Sequence, residues 1–437
     1  MKLLIYSLFI INVNGFVLKM NSISQLSIDN ALEKMRKTEF ITKTQLQKNK
    51  RLSNKYDCNV YFKREDQQNV RSFKIRGAYN KIINIINSND YDKQDIVTVS
   101  AGNHGQGVSL SCSSLGISHH VFLPKNTPLQ KVNKIKYFGG KYITLHLEGN
   151  NFDESLSACM KYCETHKSIF VHPFDDDDVI IGQGTIASEI YEEINPDIII
   201  CPIGGGGLIS GVGSYTKFVD NKCKIIGVEP YNADSMKRSL LAGRQIYVND
   251  LNTFVDGASV KLVGTKTFKY SKNVVDDILT IDNNELSYNM IDIYQNDGIV
   301  LEPAGALSIS ALNNLDRNML KNKNVVCILS GGNNDITRYP QIIENSLLYQ
   351  DLKHYFLLSF NQIPGQLQNF INNIIGPNDD ITRFEYLKKD NKETGSVLIG
   401  IELQNKEDIH NIINNMNKYN FNYVKINPSD LLYSYLI

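Results

Sequence analysis

No block of basic residues, no paired cysteine spacing and no nucleotide P-loop occur in this 437-residue chain. Each absence removes a class of function. Lys plus Arg number 46 and Asp plus Glu 46, so the formal net charge is zero. Without a basic patch interleaved with aromatics, no nucleic-acid partner is expected. The seven cysteines are scattered. Cys159 and Cys163 lie four apart on an expected helix, and no His/Cys cluster completes a zinc site. An odd number of cysteines in a large chain suits a reducing compartment, so a cytoplasmic location is expected. Beyond the N-terminus no apolar run is long enough to span a membrane, so no membrane association is expected. Leu3 to Leu18 is apolar and follows Lys2, as in a secretory signal. Asn12 and Asn14 interrupt it, however, and no small-x-small cleavage site follows. Met20 is taken as the start, with residues 1–19 an N-terminal extension.

The chain is long enough for two or three domains with cores of their own. From about residue 55 to 335 short apolar runs alternate with helical patterns. Cys58–Phe62, Ile96–Ser100, His120–Leu123, Tyr142–Leu145, Ile169–Val171, Ile198–Cys201, Ile225–Val228 and Val325–Leu329 read as strands. Continuous apolar runs separated by helices argue for buried parallel strands in open α/β sheets. Ligands then sit at the carboxyl ends of the strands, where the Gly-, Ser- and Asn-rich segments fall. After Pro340 the rhythm changes. His354–Phe360, Gly365–Ile375, Thr382–Leu387, Val397–Leu403, Lys406–Tyr419 and Tyr423–Ile426 read as βαββαβ, a ferredoxin-like order.

Four segments carry chemistry. In Ser72-Phe73-Lys74, Lys74 falls at the start of a helix whose apolar face is Ile75, Ala78, Tyr79, Ile82 and Ile86. The helix dipole and partial desolvation disfavour its ammonium form. A neutral lysine amine is a nucleophile that forms Schiff bases, including with pyridoxal phosphate. Ser100-Ala101-Gly102-Asn103-His104 follows a strand and precedes a helix expected from Gly107. Its N–H groups and small side chains suit a carboxylate, and the Asn103 amide could donate to a phenolate oxygen. Gly204-Gly205-Gly206-Gly207-Leu208 opens another helix and can curl about a phosphate. No Lys-Ser/Thr follows, so it is not a nucleotide P-loop. Ser330-Gly331-Gly332-Asn333 ends a strand with a hydroxyl suited to a pyridine nitrogen. Glu302-Pro303-Ala304-Gly305 and Phe254-Val255-Asp256-Gly257 read as caps or turns.

Together these motifs resemble the fold-type II pyridoxal-phosphate enzymes, and most closely the biosynthetic threonine dehydratases (threonine ammonia-lyases). The resemblance spans roughly residues 25 to 435, and includes His172–Asp176 and Gly182–Thr185. It implies two open, twisted, mostly parallel α/β domains over residues 20–340, a linker at 341–352, and an α+β ferredoxin-like (ACT-like) regulatory domain at 353–428. It implies pyridoxal 5'-phosphate bound by Phe73, Lys74, Asn103, Gly204 to Leu208 and Ser330, with Lys74 catalytic. Ser100, Ala101, Gly102, Asn103 and His104 would hold the substrate, L-threonine or L-serine. Isoleucine is the implied allosteric inhibitor, with Pro364, Gly365, Phe384, Glu385 and Tyr386 as the region to inspect, and a homotetramer is the implied assembly. Related racemases bind a divalent metal through an acidic pair. Here Glu229 and Ala233 fit that pattern, but Ser235 replaces the second acid and no metal is expected. The alternatives are an L-serine dehydratase or serine racemase of the same fold, or a catalytically dead amino-acid sensor.

Overall fold

The computed structural model describes residues 23–388, 391–428 and 430–436. The N-terminal extension expected at residues 1–19 lies outside the described residues. Six strands form one sheet in the spatial order Leu46–Lys48, Asn59–Arg64, Asn324–Leu329, Ile198–Pro202, Lys224–Pro230 and Asp277–Ile281. All neighbours are parallel except the edge strand Leu46–Lys48. A smaller, all-parallel sheet orders Ile143–Leu147, His119–Leu123, Ile96–Val99 and Ile169–Phe170. These are the two open α/β domains expected from the alternation of strands and helices.

The apolar runs are continuous because helices cover the large sheet on both sides. Ile198 and Ile200 join one core with Val325, Cys327 and Leu329. Ile199 and Cys201 face the other way and pack with Ile328, Ile209 and Val212. A strand buried on both faces has no polar face to alternate with.

The C-terminal sheet is antiparallel, ordered Asp380–Leu387, Thr394–Glu402, Lys353–Asn361 and Asn422–Ile426. Helices Gln366–Asn373 and Asp408–Lys418 cover one face through Phe370, Ile409, Ile412 and Met416. The other face carries Tyr355, Leu398 and Ile426, against which Tyr433 and Leu436 of the terminal helix pack. The βαββαβ order is as expected, with that last helix, Leu431–Leu436, added.

Three local readings are corrected. The segment taken as a linker is mostly a helix, Tyr339–Tyr349, whose Ile342 is fully buried in the catalytic core. The helix expected from Gly107 begins at Asn103. Strands Leu46–Lys48 and Asp277–Ile281, both at sheet edges, were not anticipated. Among the described residues no helix is long and apolar enough to cross a membrane.

Candidate active site

The chemistry-bearing segments lie at the carboxyl ends of parallel strands, where the two α/β domains face each other. The Lys74 segment is stitched to the end of strand Asn324–Leu329. Phe73 N donates to Ser330 O (3.1 Å), and Ser72 bridges to Gly331. Helix Lys74–Ile86 starts at once, and Lys74 Nζ donates to the Pro173 carbonyl at 2.8 Å. Desolvation lowers the Lys74 ammonium pKa to about 8, and the charge of Glu302 opposes the shift. Burial is thus the leading cause, where the sequence had put the helix dipole first.

The glycine run leads into helix Gly207–Val219, which has no acidic residue in its first turn. Gly206 has φ +94°, a conformation that L side chains rarely adopt, so glycine is required there. A Cβ on Gly205 would lie 2.3 Å from the Phe174 ring. Thr267 Oγ1 donates to Gly205 O (2.7 Å) and pins the loop. Asp175 caps the neighbouring helix Thr265–Val274 by accepting from the N–H of Thr265, Lys266 and Thr267. A close-walled turn of bare backbone at a helix N-terminus fits a phosphate. Leu208 is buried in the first turn of that helix.

The other candidates converge unevenly. Ser100 Oγ accepts from Gly102 N (3.2 Å). Gly102 precedes helix Asn103–Ser114, so Asn103 is a helical residue and not part of a loop. Its Nδ2 donates to Glu302 Oε1 (2.7 Å), and its Oδ1 accepts from Asn333 Nδ2 (2.8 Å). His104 is buried, and its Nε2 donates to Val171 O (3.0 Å). Burial and the nearby Lys74 push its pKa down to about 3. Its imidazole is held through Nε2, while Nδ1 is buried without a protein partner. Ser330 Oγ donates to Ala304 O (3.2 Å). Beside it, Ser72 Oγ is buried without a protein partner. A hydroxyl pair at a strand end, one of them unpaired, fits a heteroaromatic nitrogen.

Glu302, read from the sequence as a cap or turn, belongs to this group. It precedes helix Pro303–Ser310 but makes no side-chain cap; its carboxylate reaches Asn103 instead. Burial raises its pKa to about 7; Asp256 adds to the rise, while Asn103 and Lys131 oppose it. Its only signal in the sequence was the glycine-marked acidic segment.

Two further regions were singled out. Glu229 is buried and accepts from Met236 N and Lys237 N, both at 2.8 Å, and burial raises its pKa to about 8. Ser235 Oγ nearby is buried without a partner. In the C-terminal domain Phe384 and Tyr386 approach Phe360, with ring centroids 6.4 and 6.1 Å away. Gly365, at φ +86°, precedes helix Gln366–Asn373.

The chain matches the family model of pyridoxal-phosphate dependent enzymes over residues 37–331, and that of the C-terminal regulatory domain of threonine dehydratase over residues 344–436. It is 46% identical over 401 residues to the biosynthetic L-threonine dehydratase IlvA of Bacillus subtilis, covering 91% of this chain and 94% of the relative. It is 46% identical over 423 residues to that of Staphylococcus saprophyticus, covering 95% and 99%. Among solved structures it resembles the processed form of threonine deaminase isoform 2 from Solanum lycopersicum, with TM-score 0.68, 33% identity, and coverage of 77% of this chain and 98% of that one. Serine racemase from Dictyostelium discoideum gives TM-score 0.65, 32% identity, and coverage of 72% and 99%. With catalytic and regulatory parts both matched, the chain belongs to the pyridoxal-phosphate dependent enzyme family, in its biosynthetic threonine dehydratase branch.

Proposed function

We propose that the chain converts L-threonine to 2-oxobutanoate and ammonia, with Lys74 as the residue that carries pyridoxal phosphate. The observation that supports this most is the lysine itself: an amine at a helix start whose pKa desolvation lowers to about 8, held by the Pro173 carbonyl. Pyridoxal phosphate, when bound, supplies a ring that withdraws electrons from the α-carbon. The helix start at Gly204 to Leu208 is suited to its phosphate, Asn103 to its phenolate oxygen and Ser330 to its ring nitrogen. Phe73 flanks the lysine, with its ring centroid 5.3 Å from Nζ. Backbone N–H groups from Ser100 to His104 would hold the threonine carboxylate. The Lys74 amine, once free, takes the α-proton. The β-hydroxyl leaves as water, and water then hydrolyses the released enamine. The net change is loss of ammonia, because the water lost is regained.

Serine would react in the same sense and give pyruvate. The regulatory match favours the threonine reaction over a serine dehydratase or racemase. The test is ketoacid release by protein reconstituted with pyridoxal phosphate. Threonine should outrun serine. Faster pyruvate release, or a protein that stays colourless on reconstitution, would count against this reading.

The same reading includes feedback inhibition by isoleucine, a homotetramer and a cytoplasmic location. Phe384 and Tyr386, beside Phe360, offer an aromatic wall for a branched side chain. Tyr386→Ala should lose isoleucine sensitivity and keep threonine turnover; unchanged sensitivity would move the effector elsewhere. Light scattering on the purified protein checks the tetramer. The seven free cysteines fit a reducing compartment.

A further inference from the structure

Four polar side chains form a relay that crosses the cleft between the α/β domains at every step. Lys134, on helix Leu129–Gly139 of the smaller domain, donates to Asn333 Oδ1 (3.1 Å). Asn333, past the last strand of the larger domain, donates through Nδ2 to Val70 O (2.7 Å) and to Asn103 Oδ1 (2.8 Å). Asn103, back in the smaller domain, donates through Nδ2 to Glu302 Oε1 (2.7 Å) in the larger. These contacts assign both ends of each of the two amides. Val70 and Lys134 fix which end of the Asn333 amide is which, and Asn333 in turn fixes Asn103. One N–H of Asn103 is bound to Glu302, and the second is uncommitted within the relay.

The backbone is built around this acid. A Cβ on Gly331 would lie 2.3 Å from Glu302 Oε1, so a glycine is needed for the carboxylate to reach Asn103. Burying a carboxyl group without capping its own helix is costly, and the surroundings return only part of that cost.

We propose that Glu302 is a positioning residue: its carboxylate locks the Asn103 amide in the orientation that reserves the second N–H for the cofactor's ring oxygen. The inference rests on the reading of Asn103 and Lys74 as cofactor residues. It goes beyond that reading in assigning a role to an acid remote in sequence. The charged groups facing Glu302 are Lys74, Asp256, and Lys131 and Lys134 on one helix of the smaller domain. Lys74 is faced by Glu302 and by the buried imidazoles of His104 and His172.

Two variants separate hydrogen bonding from charge. In Glu302→Gln the side-chain oxygen still accepts from Asn103, but the charge is gone. In Glu302→Ala both are lost. Cofactor affinity is measured by equilibrium dialysis against pyridoxal phosphate. The pH dependence of cofactor uptake is followed through the visible absorbance. Losing a hydrogen bond to a charged group should raise the cofactor Kd roughly ten- to hundredfold in Glu302→Ala. Glu302→Gln should stay within about threefold of the parent. The negative charge holds the Lys74 pKa up, so its removal should move the midpoint of uptake below that of the parent protein in both variants. Should Glu302→Ala fail to fold, Asn333→Ala frees the other end of the Asn103 amide and should weaken the cofactor in the same direction without moving the midpoint. Equal affinities in all variants, or a Glu302→Gln protein that binds the cofactor as weakly as Glu302→Ala, would overturn the proposal. A parent protein that takes up no pyridoxal phosphate would instead overturn the reading on which it rests.

Discussion

Lys74 and Arg76 stand two residues apart at the start of one helix; burial lowers the pKa of both, yet the net shifts have opposite signs. The Arg76 guanidinium is fully buried. It donates to both oxygens of Glu65 and both of Glu189, each at 2.8 Å, and to Thr185. Glu189 also accepts from the buried Lys63 at 2.6 Å. Burial alone would lower the Arg76 pKa, but Glu189 and Glu65 more than reverse it, so this knot stays charged. Lys74 has one carbonyl as partner and a single acid as charged neighbour, and burial prevails. These two neighbouring cations differ in intrinsic basicity and in how many anionic oxygens meet them. A saturated set locks the charge and anchors the helix. A sparse set leaves an amine able to lose its proton and react.

This contrast can be broken from either side. Lys74→Ala should cost the most, roughly 10²–10⁴-fold in threonine turnover, as loss of a catalytic base does, together with the visible absorbance of the reconstituted protein. Retention of either would remove Lys74 from the chemistry. Arg76→Met leaves the buried Glu65 without a cationic partner and Glu189 with Lys63 alone, and should destabilise by about 3–5 kcal/mol in denaturant unfolding. A change under about 1 kcal/mol would show the knot to be dispensable. Gly205→Ala pushes a methyl group into Phe174, at an overpacking cost of about 1–3 kcal/mol, and should weaken cofactor binding by a comparable amount. An unaltered Kd would mean that the loop relaxes freely. The smallest effect is expected for Lys43→Ala, which breaks an exposed pair with Glu192 and should change stability by less than about 1 kcal/mol. A larger loss there would erase the distinction between buried and surface ion pairs.

The layout of the fold was legible wherever burial is symmetrical or strictly alternating. Ile198–Pro202 and Asn324–Leu329 are covered on both faces and so spell uninterrupted apolar runs. Asp277–Ile281 lies at the sheet edge, where Asp277 is exposed and Leu279 and Thr280 only partly buried, and its pattern is too mixed to read. The helix Tyr339–Tyr349 was taken as a connector because its buried positions, Ile342 and Ser346, form no periodic apolar stripe. Lys74, Asn103, the glycine run and Ser330 could be picked out because each sits in a short motif at a strand end or helix start.

What the sequence determined by itself is local: which runs are buried, which turns need glycine, and which motifs occur in which order. These follow from spacing along the chain. What only the tertiary structure decided is which groups share a desolvated space. Glu302 meets Asn103 across 199 positions, and Arg76 meets Glu189 across 113. A proton affinity depends on the charges and solvent within a few ångströms, and those neighbours are chosen by the packing of the two domains.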